Sequence, residues 1–408
     1  MRLLFAAPPS LEAAALPGYA ETYGASVLQL DSSLAAAHAP ADLIDLTHGD
    51  TRAFGPPATA TEDFLAAVTE NTEAYTPYRG SPALRSLLAP RLEFLLGRPV
   101  DPQREVLITP GTQGGLFTAL SALLAPGDRL ILPDPEYFMS ERIAAYLGAR
   151  PVRLEVQQDE EGSLSLRSSD LNVARAACAR LLLLSHPNNP TGGVYTAAAV
   201  EDMARLAIAG DMVVVVDQLY CRLVFPPATY RHLGALPGMI ERTVTLVGPS
   251  KTESMSGYRV AVAVGPPAAI DSMERVLALA SLRAAGYGQQ ALRHWMDDDA
   301  DWLEQRVTDH CELRDVLVDR LRAIPRVTVA TPAGSSYVFP LVEDGGEARG
   351  AGGVDDYELA IRLKSAGVLV SPGYQFGPAG RGRFRINFSQ DRARLLNAAD
   401  RITATLAR

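Results

Sequence analysis

Between residues 50 and 290, short apolar runs alternate with stretches of helical periodicity, and this alternation restricts the fold more than any other feature of the sequence. The runs are Val106-Leu-Ile, Leu130-Ile-Leu, Val152-Arg-Leu-Glu-Val, Leu181-Leu-Leu-Leu, Val213-Val-Val-Val, Val244-Thr-Leu-Val and Val260-Ala-Val-Ala-Val. Strands this apolar on both faces belong in a parallel sheet covered by helices on both sides. The sequence therefore predicts an α/β fold with a mostly parallel, seven-stranded sheet. Leu116, Phe117, Leu120, Leu123 and Leu124 fall at helical spacing, and Pro126-Gly-Asp ends that helix.

The flanks differ in character. Residues 1–48 are Ala-rich, with a helical stretch near Leu11–Leu30 and a break at His38-Ala-Pro-Ala, and read as an N-terminal arm. Residues 49–290 form the large unit. Residues 291–408 mix a long charged helix over Asp298–Ile324, strands at Val327-Thr-Val, Ser336-Tyr-Val-Phe and Phe384-Arg-Ile-Asn-Phe, and a Gly-rich loop at 345–353. That pattern predicts a smaller α+β unit packed with the arm, in keeping with 408 residues being too many for one ordinary core.

Composition excludes several classes. A net charge of −9 with no basic block argues against a nucleic-acid surface. No window holds enough uninterrupted apolar residues to span a membrane. The first residues, with one arginine and an apolar run broken by prolines, do not read as a secretory signal. Cys178, Cys221 and Cys311 are scattered, which fits neither a disulfide framework nor a metal site and suits a reducing cytoplasm.

Four segments place polar groups just after an apolar run, where open α/β sheets bind ligands. In Ile108-Thr-Pro-Gly-Thr112-Gln113-Gly-Gly a strand passes through a Gly-rich turn into a helix, a setting for phosphate that ordinary turns share. His186-Pro-Asn-Asn189-Pro-Thr-Gly-Gly follows the leucine run; a tight loop would explain its glycines but not the order Asn-Pro-Thr-Gly. Asp217 in Val216-Asp-Gln-Leu-Tyr220 is either a helix-capping carboxylate or a half-buried one that needs a cationic partner. Gly248-Pro-Ser250-Lys251 sets a lysine directly behind an apolar strand, with Arg259 eight positions on. A lysine so placed favours nucleophilic or Schiff-base chemistry over an outward-turned surface role.

In this order the segments resemble the class I/II aminotransferases of the fold-type I pyridoxal-phosphate enzymes. The likeness covers roughly residues 45–390, with spacings of 28 from Asn189 to Asp217 and 34 from Asp217 to Lys251. The resemblance implies pyridoxal 5′-phosphate as cofactor, bound to Lys251 as a Schiff base. It implies that Asp217 pairs with the ring nitrogen, Asn189 and Tyr220 with the phenolic oxygen, and that Tyr137 stacks on the ring. Thr112, Gln113, Ser250 and Arg259 would hold the phosphate, and Tyr75 would reach the phosphate of a neighbouring subunit, making a homodimer. Arg385 would clamp the substrate α-carboxylate with its bidentate fork, and Gly49 matches the small residue beside it.

Departures from the pattern bear on the reaction. Gly248 stands where many relatives carry a phosphate-binding serine, and Gln218 replaces the usual acid after the ring aspartate. The segment Leu46-Thr-His48-Gly-Asp50-Thr-Arg52 is unusually polar, so His48 or Asp50 is expected either in a solvated turn or against the substrate side chain. Tyr287 and Tyr374 are candidate pocket walls and equally candidate core aromatics. The leading expectation is an aminotransferase of an L-amino acid. A specialised enzyme using the same site for elimination, replacement, cyclisation or oxidation is the alternative. A DNA-binding regulator on this fold is disfavoured by the short, base-poor arm.

Overall fold

The computed structural model describes residues 10, 37–70, 74–343 and 354–407; the expected arm helix near Leu11–Leu30 and the 345–353 loop lie outside the described residues. The chain opens with β1 (Ile44–Asp45), α1 (Ala58–Glu70) and α2 (Pro82–Leu96). The sheet region then runs β2 (Val106–Thr109), α3 (Gly111–Leu123), β3 (Arg129–Asp134), α4 (Phe138–Tyr146), β4 (Arg150–Gln158), β5 (Ser163–Leu166), α5 (Ser168–Ala176), β6 (Leu181–Ser185) and β7 (Val194–Tyr195). It continues through α6 (Ala197–Ala209), β8 (Val213–Asp217), β9 (Thr243–Val247), β10 (Ala261–Val264), α7 (Pro267–Ala280) and α8 (Gly286–Gln290).

All seven apolar runs lie in strands of one sheet, ordered β2-β10-β9-β8-β6-β3-β4-β5-β7. The sheet has nine strands because β5 and β7, too short and polar to show as apolar runs, extend its edge. β10 is antiparallel to both its neighbours, β9 and β2, whereas β9, β8, β6, β3 and β4 pair in parallel. Burial on both faces explains the unbroken apolar runs. Leu182, Leu184, Val214 and Val216 pack on one side with α5 and α6 residues such as Leu171 and Met203. Leu181, Leu183, Val215 and Leu246 pack on the other with Leu116, Ile143 and Ile270 of α3, α4 and α7. The period of two thus joins two helix layers through a single sheet.

After α8 come α9 (Ala300–Arg322), β11 (Val327–Thr328), β12 (Tyr337–Val338), β13 (Leu341–Val342), α10 (Asp356–Ser365), β14 (Val368–Leu369), β15 (Ser371–Pro372), β16 (Phe384–Asn387) and α11 (Arg392–Leu406). β16 is the middle strand of the small sheet β12-β16-β15. Ile44 and Leu46 share a core with Leu317, Leu363, Ile386 and Ile402, and β1 pairs in parallel with β14. The Leu46 carbonyl also accepts the Asn387 N–H at 2.7 Å, which docks the segment after β1 beside β16. Among the described residues no helix is long and apolar enough to cross a membrane.

Candidate active site

Parallel strands all release their carboxyl ends on the same edge, so the turns after β2, β3, β6, β8 and β9 meet there. A cavity of about 300 Å³ lies at this edge. Its wall includes Thr112 and Gln113 from the start of α3, Tyr137 after β3, Asn189 after β6, Asp217 and Tyr220 at and after β8, and Ser250, Lys251 and Arg259 after β9. Arg385 enters from β16 of the small sheet. Ten residues singled out in the sequence therefore surround one space.

At one end α3 begins without a side-chain cap, leaving the N–H groups of its first turn free to bind an anion. Gly111, at φ +73°, lets the Arg259 guanidinium lie against this terminus; a Cβ there would sit 2.4 Å from Arg259 Nη2. Arg259 donates to the Ser256 carbonyl at 2.8 Å. The Ser250 hydroxyl is buried and makes no hydrogen bond among the described residues. Gly248 is explained by packing: a Cβ there would stand 2.8 Å from the Ala261 Cβ on β10. A serine side chain does not fit, so this departure from the familiar pattern is a consequence of strand packing.

In the middle of the site, burial pushes the Asp217 carboxyl up to about 6, against the Leu219 N–H bonded to it and the charge of Lys251. The Leu219 bond is 3.1 Å long. Tyr137 donates to Gln113 Oε1 at 3.1 Å, and burial first, then Tyr337 and Asp217, raise its hydroxyl to about 12. Below this layer Glu136 is fully buried, taking the N–H groups of Tyr137 (2.7 Å) and Ser185 (2.9 Å) and the Ser185 hydroxyl (2.5 Å). Burial lifts Glu136 to about 7.

At the far end, Arg385 donates to Asn189 Oδ1 at 2.7 Å, the Thr47 carbonyl at 3.0 Å and Ser371 Oγ at 3.2 Å. Its Nε is buried without a partner among the described residues. The guanidinium lies between the rings of Tyr337 (4.2 Å) and Phe376 (4.8 Å). Those rings leave in-plane bonding as its free mode, the geometry that suits a carboxylate.

Other expected residues fall elsewhere. His48 is 70% exposed and faces Asp45 at 3.3 Å, and Asp50 caps the turn through the N–H groups of Arg52 and Ala53. Neither lines the cavity, and nor does Gly49, which lies against Ser389. The Asp45 carboxylate accepts both the N–H and the hydroxyl of Thr47, and Thr47 is the residue of this segment that lines the cavity. Tyr374 is fully buried in the core, Tyr287 is not part of the wall, and Tyr75 is 83% exposed with Arg283 over its ring. Sequence reasoning missed Thr47, Phe138, Ser185, Leu219, Ser256 and Tyr337. Ser185 was discoverable: it ends the leucine run just as Asp217 ends the valine run, and the two are register partners.

The fold and this edge-of-sheet site define the fold-type I pyridoxal-phosphate class. The chain belongs to the class I and II aminotransferase family, whose model matches residues 41–402. It is 40% identical in sequence to a solved aspartate aminotransferase from Rhodobacter sphaeroides, covering 91% of this chain and 94% of that one at a TM-score of 0.85. It is 29% identical to aromatic-amino-acid aminotransferase 2 of Thermococcus litoralis, over 86% of this chain and 89% of that protein. The aspartate aminotransferase of Musicola paradisiaca is also 29% identical, with 84% of each covered. The protein is thus a pyridoxal-phosphate-dependent transferase with aminotransferase activity. The residues present suit that cofactor: an unpartnered serine hydroxyl and an uncapped helix for a phosphate, and a buried carboxylate for a ring N–H.

Proposed function

We propose that the protein transfers the amino group of an L-amino acid bearing a free α-carboxylate, with Lys251 as the attachment point of the cofactor. The convergence of Lys251, Asp217 and Arg385 on one cavity carries this reading. Bound there, pyridoxal phosphate supplies the electron sink that makes the substrate Cα–H acidic. Lys251 Nζ would act as the base that removes the substrate Cα proton and as the acid that returns it. Asp217 holds a proton on the ring nitrogen, a task its buried setting supports because an ionised carboxylate there needs a cationic partner. Thr112, Gln113, Ser250 and Arg259 bind the phosphate. Asn189 and Tyr220 face the phenolic oxygen, and Tyr137 covers the ring. Arg385 orients the α-carboxylate through its fork, beside the Thr47 carbonyl it binds, and Gly49 lies two positions beyond Thr47 in the chain.

The same reading takes in the assembly. Tyr75, exposed and set on the Arg283 guanidinium, is assigned to the phosphate site of a second copy in a homodimer. Residues 49–290 are read as the cofactor-binding unit and 291–408, joined by the arm 1–48, as the smaller one; the pairing of β1 with β14 supports that grouping. The unpaired cysteines suit the cytoplasm, and a small amino acid rather than nucleic acid is the partner.

Single-turnover spectroscopy tests this function. An amino acid added without any oxo acid is expected to convert the bound chromophore stoichiometrically to the pyridoxamine form, releasing one equivalent of 2-oxo acid. Continuous turnover to other products without a second substrate would contradict it and favour elimination, replacement or oxidation.

A further inference from the structure

Arg222 is not part of the cavity wall, yet it joins two turns that supply residues to it. It lies two positions after Tyr220, and Glu253 lies two positions after Lys251. Arg222 Nη1 donates to Glu253 Oε1, and its Nη2 lies 2.7 and 2.6 Å from the two carboxylate oxygens of Asp299. Glu253 is buried and the Arg222 side chain is 9% exposed, a setting in which each charge needs the other. Within each turn the backbone closes on itself. The Leu223 N–H donates to the Tyr220 carbonyl at 2.8 Å, and around Lys251 the Ser254 N–H reaches the Lys251 carbonyl and the Met255 N–H the Pro249 carbonyl, both at 3.1 Å. Those bonds shape each turn from inside. The Arg222–Glu253 pair crosses between the turns, over 31 positions of chain.

The third partner extends the bridge to the smaller sheet's core. Asp299 stands at the N-cap of α9, but its side chain makes no capping bond and binds Arg222 instead. α9 packs through Leu313, Leu317 and Val318 into the core that holds Ile44 and Ile386. Its Arg306 donates to Ser254 Oγ at 3.4 Å and to the Gly55 carbonyl at 3.0 Å, so α9 meets the Lys251 turn at a second point. We propose that Arg222 is a positioning residue of the active site, one that fixes the Lys251 turn against the Tyr220 turn through Glu253 and anchors both to α9 through Asp299. The inference rests on the proposed role of Lys251 as the amine that moves the Cα proton. Such a step is sensitive to placement: a shift of about 1 Å can cost on the order of a hundredfold in rate.

Two variants separate this role from simple stabilisation. Arg222→Lys keeps a positive charge beside Glu253, but a single ammonium does not reproduce a guanidinium fork spanning two carboxylates. Arg222→Met combined with Glu253→Met deletes the bridge without stranding a buried charge, the kind of replacement that is often neutral for stability; Asp299, 26% exposed, still meets water. Amide hydrogen exchange, which reports local opening, is measured on the full-length, cofactor-loaded protein. The half-reaction is followed with whichever common L-amino acid bleaches the wild-type absorbance fastest, carrying hydrogen or deuterium at Cα. Both variants are expected to exchange the Ser254, Met255 and Leu223 amides faster than the wild type. The maximal rate is expected to fall about tenfold or more in the double variant and less in Arg222→Lys, with a larger Cα isotope effect in each because proton transfer limits the step more. A pair that only stabilised the fold would lower the unfolding midpoint and leave exchange, rate and isotope effect of the folded protein unchanged. Wild-type exchange, or a wild-type rate and isotope effect, in Arg222→Lys or in the folded double variant overturns the proposal. If no amino acid bleaches the wild type, the proposed function falls instead, and the exchange alone decides whether Arg222 holds the Lys251 turn.

Discussion

The Ser185 hydroxyl sits where two motifs meet. It donates to Glu136 at 2.5 Å and accepts the Asn189 N–H at 3.0 Å, so it ties the acid beneath Tyr137 to the asparagine that holds Arg385. Burial raises Glu136 from 4.5 to about 7, while the bonds from Ser185 and Tyr137 lower it. The folded protein thus holds this proton more tightly than the unfolded chain does. The stability contributed by the protonated form is fully present below pH 4.5 and is lost as the pH rises through 7. Ser185→Ala removes a bond that favours the ionised acid, and unpaired buried oxygens cost roughly 1–3 kcal/mol. Urea unfolding of this variant is expected to show a loss of that order, larger at pH 8 than at pH 5.5. Equal losses at both pH values would contradict this role for Glu136. At this scale the sequence was readable wherever a polar residue ended an apolar run, as with Asp217 and Lys251. It left His48 open between a solvated turn and the substrate, and the bonds from Thr47 N and Oγ1 to the Asp45 carboxylate, which order this segment, are contacts that no periodicity records.

Among the elements, the turn from β2 into α3 is the one on which phosphate binding depends. Gly111 is required there twice over, by its positive φ and by the closeness of Arg259. Adding a Cβ in the left-handed region costs about 1–2 kcal/mol, and the guanidinium must also move. Gly111→Ala is therefore expected to weaken cofactor binding about tenfold or more, measured by titrating pyridoxal phosphate into the cofactor-free protein. Activity at saturating cofactor should change far less. Unchanged affinity would separate the α3 terminus from the phosphate. Most strands of the large sheet were legible because they are apolar on both faces, and β4 because its apolar residues alternate with polar ones; β5 and β7 were not, since Ser163–Leu166 and Val194–Tyr195 carry no such run. The small sheet hid its contribution for another reason. Tyr337 lies in a two-residue strand, and its hydroxyl meets Tyr220, 117 positions away in the chain.

Across the whole molecule, the site forms where the carboxyl edge of the nine-stranded sheet faces the small sheet β12-β16-β15. The Thr47 carbonyl and Arg385, which meet at 3.0 Å, are 338 positions apart. Such a site is readable from sequence in its strand-end motifs, which are contiguous, and not in the contacts that close it. The chain is also unusual in holding only two lysines, Lys251 and Lys364. Lys364 is buried in α10, away from the cavity wall, so Lys251 is the one lysine amine in that wall. Covalent attachment can therefore be assigned with little ambiguity. Borohydride fixes a lysine-bound carbonyl as a stable secondary amine, and peptide mass mapping after reduction of the cofactor-loaded protein locates it. The mass of the reduced cofactor is expected on the peptide containing Lys251, in step with loss of the absorbance band. The label on Lys364 or the terminal amine, or no label at all, would contradict the account of this cavity.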